Sequence, residues 1–400
     1  LLNDILQIIV VGAGPAGLLL ALLLAKKGIS VTVLDAAAGL DTQPRATHYG
    51  PPAVCELRRA GVMEDVLAAG FIPRMVCWRK FDGTFLTGID GDHLGDHPER
   101  MVCLPLNKLG QILYKHLQAQ PTADVRFGHK VVAQGQDDRE AWVEVELADG
   151  SKEKFAADYV VGCDGANSQI RRTLFGDMAF PGKTWDQQLV ATNVYYDFTK
   201  FGYEDANFII DPEHWYMASR ISTDGLYRVT YGEPGGYTRD ELIARQPMKF
   251  ETMLPGRPKP EEYKLTNISP YRVHQRLAES LRVGRFLLAA DAAHICNPMG
   301  GLGLTGGIVD VGNLYDCLIG LQEGKIDDSI LDVYSEVRRA KYNEVVNPIS
   351  SENLVRLFSA DPDTVLDTDP FFQMCKKAEK DVEFSKELQN VSHPFRRLVR

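Results

Sequence analysis

Ile8-Ile9-Val10-Val11-Gly12-Ala13-Gly14-Pro15-Ala16-Gly17 decides how this chain is read, because an apolar run meets a glycine-rich turn and a second apolar run follows. Ile8 to Val11 is continuous and β-rich, as a parallel strand buried on both faces requires. From Ile8 to Ala25 the chain has the length of a membrane span or signal sequence. Yet Gly12, Gly14, Pro15 and Gly17 interrupt it, and Lys26-Lys27-Gly28 ends it. A strand, a tight turn and a buried helix fit that pattern, with Pro15 at the helix start and Gly28 past its end. Val31 to Leu34 is then the next strand, and Asp35 closes it, 18 positions beyond Gly17. That spacing is close to the roughly 20 residues of a dinucleotide fold. In such a unit Gly12 permits the turn, Gly14 lets backbone approach a pyrophosphate, and Gly17 lets the helix pack on the strand. The helix N-terminus around Ala16 aims unpaired N–H groups at the phosphates. Asp35 would accept from ribose hydroxyls. This segment alone leaves NAD and FAD both open.

The totals exclude other classes. The 400 residues carry a formal charge of −10, which argues against nucleic acid. Seven scattered cysteines without CxxC spacing suggest neither a metal site nor a disulfide framework, so reduced thiols in the cytoplasm are expected. No membrane span is expected, and nothing bears on oligomeric state.

Two further segments have the same grammar of strand, turn and helix. Tyr159-Val160-Val161-Gly162-Cys163-Asp164-Gly165 puts Asp164 at the carboxyl end of a strand, where α/β sheets place ligands, and Ser168 is a possible helix cap. Gly284-Arg285-Phe286-Leu287-Leu288-Ala289-Ala290-Asp291 ends a second buried strand at an aspartate able to bind a polyol. Asn297-Pro298-Met299-Gly300-Gly301-Leu302-Gly303 then leads into a helix from about Leu304, leaving room for a flat ring against backbone. Together the three segments account for both ends of a flavin dinucleotide held non-covalently.

Between these segments the character changes. A helix is expected near Pro52–Ala60 and another over Leu106–Gln118, with Leu106, Leu109, Leu113 and Leu117 on one face. Val125–Val132 and Ala141–Leu147 suggest an antiparallel meander turning at Asp149-Gly150. Residues 176–270 are rich in aromatics, Gly and Pro, with strands at Leu189–Phe198, Trp215–Ile221 and Leu226–Tyr231, the last two joined by a turn at Ser222–Gly225. The expected fold is α/β, a Rossmann-like FAD-binding domain with an inserted β-rich substrate domain and a helical C-terminal region. Residues 1–80, 101–175 and 271–350 form the first, 81–100 and 176–270 the second, and 351–400 the third.

GAGPAG with Asp35, GCDGANSQIRR and GRFLLAADAAHICNPMGG, in this order and spacing, resemble the single-component FAD aromatic hydroxylases of the para-hydroxybenzoate hydroxylase type. The resemblance covers most of residues 8–350. It implies that Asp35 takes the adenosine ribose, Arg45 the pyrophosphate region and Asp291 the ribityl chain. Asp164 would serve both FAD and the nicotinamide nucleotide. Pro298 would lie beside the isoalloxazine, with Gly301, Gly303 and Leu304 at the helix N-terminus. Leu106 departs from the pattern, standing where relatives often carry Arg or Gln. The implied activity is a monooxygenase using NADPH or NADH and O2, acting through a flavin C4a-hydroperoxide on a phenolic or polyketide-like aromatic. Epoxidation, Baeyer–Villiger oxidation and a non-oxygenating reductase are the alternatives, and no WxWxIP motif marks a halogenase. No acid or base stands out; Arg220, Tyr195 and Tyr227 are the catalytic candidates, since a cation or tyrosine chain would favour a phenolate. His294 is expected to be structural.

Overall fold

The computed structural model describes residues 6–390. Its first sheet has six strands in the order Arg282–Val283, Phe286–Leu288, Tyr159–Gly162, Gln7–Val11, Ser30–Asp35 and Ala123–Phe127. All pairings are parallel except the one at the Arg282–Val283 edge. The helix Pro15–Ala25 is apolar on every side and buried from Gly17 to Ala25. Such a helix must be covered all round, and the helices Leu106–Gln118 and Leu302–Gln322 do this together with the sheet. Among the described residues no helix is long and apolar enough to cross a membrane.

Leu106–Gln118 is helical as expected, burying Leu109, Leu113 and Leu117. The expected antiparallel meander is present with its turn at Asp149-Gly150, but its first strand is corrected. Gly128, at φ +71°, breaks Val125–Val132 in two. Ala123–Phe127 joins the parallel sheet, and Lys130–Gln136 starts a separate antiparallel sheet with Ala141–Glu146 and Lys152–Ala157. Alternation alone could not reveal that two strands lay end to end.

The second large sheet has eight strands, ordered His294–Ile295, Lys264–Leu277, Gly182–Tyr195, Leu226–Glu233, Tyr216–Arg220, Ala206–Ile210, Met75–Lys80 and Phe85–Asp90. The expected boundary at 80/81 therefore falls inside a hairpin, and that at 270/271 inside a strand. Helices Asn347–Ser359, Pro370–Ala378 and Val382–Asn390 follow. The first two share an apolar core with this sheet, in which Leu354, Leu357 and Phe372 pack with Trp78 and Trp215. The remainder of the expected C-terminal extension, 391–400, lies outside the described residues.

Register across this sheet fixes what its face presents. Trp78, Phe208, Met217, Thr230, Ala191 and Ser269 are successive partners and form one transverse row. Two residues along each strand, Val76, Ala206, Ser219, Arg228, Asn193 and Asn267 form the next. Side chains alternate along a strand, so both rows point to the same side.

Candidate active site

That side is the wall of a cavity of about 1130 Å³. Single small-molecule pockets run to about 1,000 Å³, so this one has room for more than a compact ligand. Its opposite wall comes from the glycine turns. Ala13, Gly14, Pro15 and Ala16 line it, as do Arg45, Gly165, Asp291, Pro298, Gly301, Gly303 and Leu304.

The glycines of the first turn divide by cause. A Cβ at Gly12, which has φ +107°, would come 2.4 Å from the Cys163 carbonyl, and one at Gly17 would come 2.0 Å from the Gly12 carbonyl. Those two are demanded by the protein itself. Around Gly14 nothing lies within 4 Å, and a Cβ at Gly303 would meet only Cys296 Sγ at an ordinary 3.6 Å. Glycine in a helix costs ~1 kcal/mol relative to alanine, so at Gly303 the absent side chain leaves space for something else. The helix starting at Leu302 aims its first N–H groups at the cavity, two residues earlier than expected, after Gly301 turns the chain at φ +62°.

The strand expected to end at Asp291 ends at Leu288, and Asp291 stands three residues on in the turn Ala290–Ala292, open to the cavity at the same wall; among the described residues no protein donor reaches its carboxylate. It is accessible at its tip yet deep in the fold. Burial raises its pKa, against the pull of His294 and Arg45. A carboxylate so placed suits a polyol that brings its own donors. The turn beneath it is held by buried Asp310, whose Oδ2 accepts from Ala290 N at 3.0 Å and His294 Nε2 at 2.7 Å, and whose Oδ1 accepts from Arg338 Nε at 2.6 Å. Ala290 sits at φ +55°, a conformation that alanine rarely adopts. His294 is thus structural, as expected. These features fit a flavin dinucleotide.

Other expected residues are placed less directly. Asp35 accepts from Ala13 N at 2.6 Å and Ala37 N at 2.7 Å, so it braces the glycine turn while keeping lone pairs for a ribose. Arg45 is exposed at the cavity rim and pairs with Asp41 at 2.9 Å. Asp164 turns away from the cavity. It accepts from Ser168 Oγ at 2.6 Å, Gln169 N at 2.7 Å and Ile170 N at 3.2 Å, holding the start of the helix Gln169–Phe175.

The three catalytic candidates are not brought together. Arg220 and Tyr227 are register partners, but on the face opposite the cavity rows. Arg220 lies over the Phe71 ring and 3.4 Å from Asp205, and Tyr227 packs on Phe198. Tyr195 donates to Asp224 Oδ2 at 2.8 Å, at the strand end. The cavity receives Arg228 instead. Its Nε donates to Asn193 Oδ1 at 3.1 Å, and its two terminal nitrogens donate to the carbonyls of Pro44 and Arg45. Burial lowers its pKa to about 10, so it stays cationic at neutral pH. Asn193 Nδ2 and His48 Nε2 have no partner among the described residues, and both residues line the cavity. Burial, with Arg228 nearby, lowers the His48 pKa to about 4, which keeps the imidazole neutral. A polar Asn inside the apolar run Leu189–Val194 was the signal in the sequence for this wall.

Comparison with known proteins gives the same picture. The model of the FAD binding domain family matches residues 6–348. Para-nitrophenol 4-monooxygenase of Pseudomonas sp. (strain WBC-3) is 37% identical over 369 residues, covering 92% of this chain and 91% of that protein. The 6-hydroxy-3-succinoylpyridine 3-monooxygenase HspB of Pseudomonas putida (strain DSM 28022 / S16) is 38% identical over 360 residues, covering 89% and 90%. The crystal structure of p-nitrophenol 4-monooxygenase PnpA from Pseudomonas putida DLL-E4 superposes with a TM-score of 0.91 at 36% identity, over 98% of each chain. The glycine turns, the open carboxylate of Asp291 and the sheet wall facing them therefore belong to a member of this FAD-binding family, an FAD-dependent aromatic monooxygenase with NAD(P)H and O2 as co-substrates.

Proposed function

We propose that the chain hydroxylates a small phenol or hydroxypyridine, and that Arg228, Asn193 and Ser219 receive its ring hydroxyl. The observation carrying this reading is the second row of the large sheet, where one cation stands among neutral hydrogen-bonding groups in an otherwise apolar wall. A guanidinium beside a phenol favours the phenolate, the form whose ring carbons are most electron-rich. The named substrates of the two relatives, a nitrophenol and a hydroxypyridine, share such a ring hydroxyl. Bound FAD supplies electron transfer from NAD(P)H and activation of O2; the protein supplies position and electrostatics. FAD would lie with its pyrophosphate over Gly14, its ribityl chain at Asp291 and its ring beside Pro298, Gly301 and Gly303. Arg45 would reach the pyrophosphate and Asp35 would hold the adenosine ribose. With seven cysteines and none paired in a disulfide among the described residues, the cytoplasm is the compartment we assign.

The test is steady-state NAD(P)H oxidation and product analysis with a panel of phenols and hydroxypyridines. Arg228→Ala should lower kcat/KM about 10- to 100-fold, as expected for loss of a hydrogen bond from a charged group. Arg220→Ala should change it little, because that side chain faces away. Equal effects of the two substitutions would refute the assignment to Arg228. Hydrogen peroxide as the sole oxygen product with every aromatic tested would refute phenol hydroxylation.

A further inference from the structure

Beside the sheet row that carries Arg228, the next row of the cavity wall is aromatic at one end. Trp78, Phe208 and Met217 stand side by side in the first sheet row, and the planes of Trp78 and Phe208 are 16° apart with centroids at 5.7 Å. Facing them is a residue of the C-terminal helices. Phe371 meets Trp78 edge-on, with centroids 5.1 Å apart and planes at 78°. Its place is fixed by local chemistry: Pro370 opens the helix, and Asp369 Oδ1 caps it by accepting from Phe371 N at 2.8 Å. The last described helix is tied down as well, since Gln389 Nε2 donates to the Asp90 carbonyl at 2.9 Å.

This wall is closed behind and open in front. Phe372, Leu354 and Leu357 are fully buried in the core that the sheet and the helices share. Phe208, Met217 and Phe371 belong to the edge of the same core, yet stay only half buried and line the cavity. Protein cores are close-packed, so adjoining apolar side chains left half open in a concavity form a ligand surface. The first row carries no charge from end to end. Arg356, behind Phe371, is engaged with Asp369 at 2.6 Å.

We propose that this aromatic wall holds the end of the substrate remote from its hydroxyl, that it accepts only substituents without net charge, and that Phe371 sets their size. The C-terminal helices are thereby the specificity element of the enzyme. The proposal rests on the phenol reading above. A flat, polarisable group stacks on Trp78 and Phe208, whereas a carboxylate set against Trp78, Phe208, Met217 and Phe371 loses its water without a charged partner in the row, the Arg356 guanidinium lying over the Phe371 ring and engaged by Asp369.

The holoenzyme is assayed with 4-nitrophenol and 4-cyanophenol against 4-hydroxybenzoate, and with phenols of lengthening 4-alkyl chain. The uncharged phenols should exceed the carboxylate about 100-fold or more in kcat/KM. Phe371→Ala should keep its FAD, raise KM for the compact phenols about tenfold and move the optimum to longer 4-alkyl chains. Phe371→Leu should fall between, and it carries the size test if the alanine variant loses FAD. Equal use of 4-hydroxybenzoate and 4-nitrophenol overturns this proposal alone, as does a chain-length preference unchanged in both variants. A wild-type enzyme that hydroxylates no phenol overturns the phenol reading, and this proposal with it.

Discussion

Among single residues, Gly14 separates binding from folding. Gly12 and Gly17 are glycine because a side chain would collide with the carbonyls of Cys163 and Gly12, whereas nothing among the described residues crowds Gly14. Gly14→Val should therefore fold yet purify without flavin, while Gly17→Val should fail to fold. Absorbance at the flavin bands and circular dichroism separate the two results. A yellow Gly14→Val protein with one FAD per chain would remove the pyrophosphate from this turn. The glycine turns were legible at this scale, because they follow from local backbone rules, whereas the turn that carries Asp291 past the strand end at Leu288 and the inward fold of Asp164 onto its own helix were not. Nor was the catalytic side. Arg220 and Arg228 sit in neighbouring strands of similar composition, and only strand register decides which one faces the cavity. Side chains alternate with a period of two, so an error of one position moves a residue to the wrong face. Ser219, not Arg220, pairs with Arg228.

At the level of elements, the helices Pro51–Arg59 and Leu302–Gln322 meet at an unusual contact. A Cβ at Gly312 would lie 2.4 Å from the carboxyl of Glu56, so the glycine makes room for a buried acid. Burial raises the Glu56 pKa from 4.5 to about 7, against the opposing pull of Arg59 at 2.7 Å. A folded-state pKa above the unfolded one means that the fold prefers the protonated form. The associated stability is complete below pH 4.5 and is lost as pH rises through 7. Glu56→Gln keeps the shape and removes the titration. Arg59 retains Asp316 at 2.8 Å and the Gly312 carbonyl at 2.7 Å. The variant holoenzyme should match wild type at pH 5 and melt about 2 °C or more higher at pH 8. A variant that melts lower at pH 8 would show that the charged pair, not the neutral acid, holds the helices together. Element existence was readable from periodicity, as the helix Leu106–Gln118 shows. The split at Gly128 was not, since two strands of different sheets continue one alternating pattern.

Across the whole molecule, the described residues contain one nucleotide-binding turn of this kind. NAD(P)H is therefore expected to bind only transiently, meeting the flavin at the surface of this domain. Arg228 links the substrate wall to the carbonyls of Pro44 and Arg45, in the loop expected to hold the pyrophosphate. Occupancy of the wall can thus be sensed at the cofactor, provided that substrate binds one arrangement better than the other, since equal binding shifts nothing. Anaerobic flavin reduction should be about tenfold or more faster with substrate than without it, which corresponds to ~1.4 kcal/mol or more of differential stabilisation. Equal rates in stopped-flow would end the idea. The order in which the cavity's walls occur along the chain has one more consequence, for biosynthesis. A ribosome delivers the Gly14 turn first, Arg228 much later, Asp291 and Gly303 later again, and Phe371 close to the last described helix. Even the parallel sheet waits for Phe286–Leu288 to lie beside Tyr159–Gly162. A nascent chain therefore cannot assemble the full wall of this cavity until Asp291 and Gly303 have emerged, nor complete its aromatic end until the helix that carries Phe371 has docked.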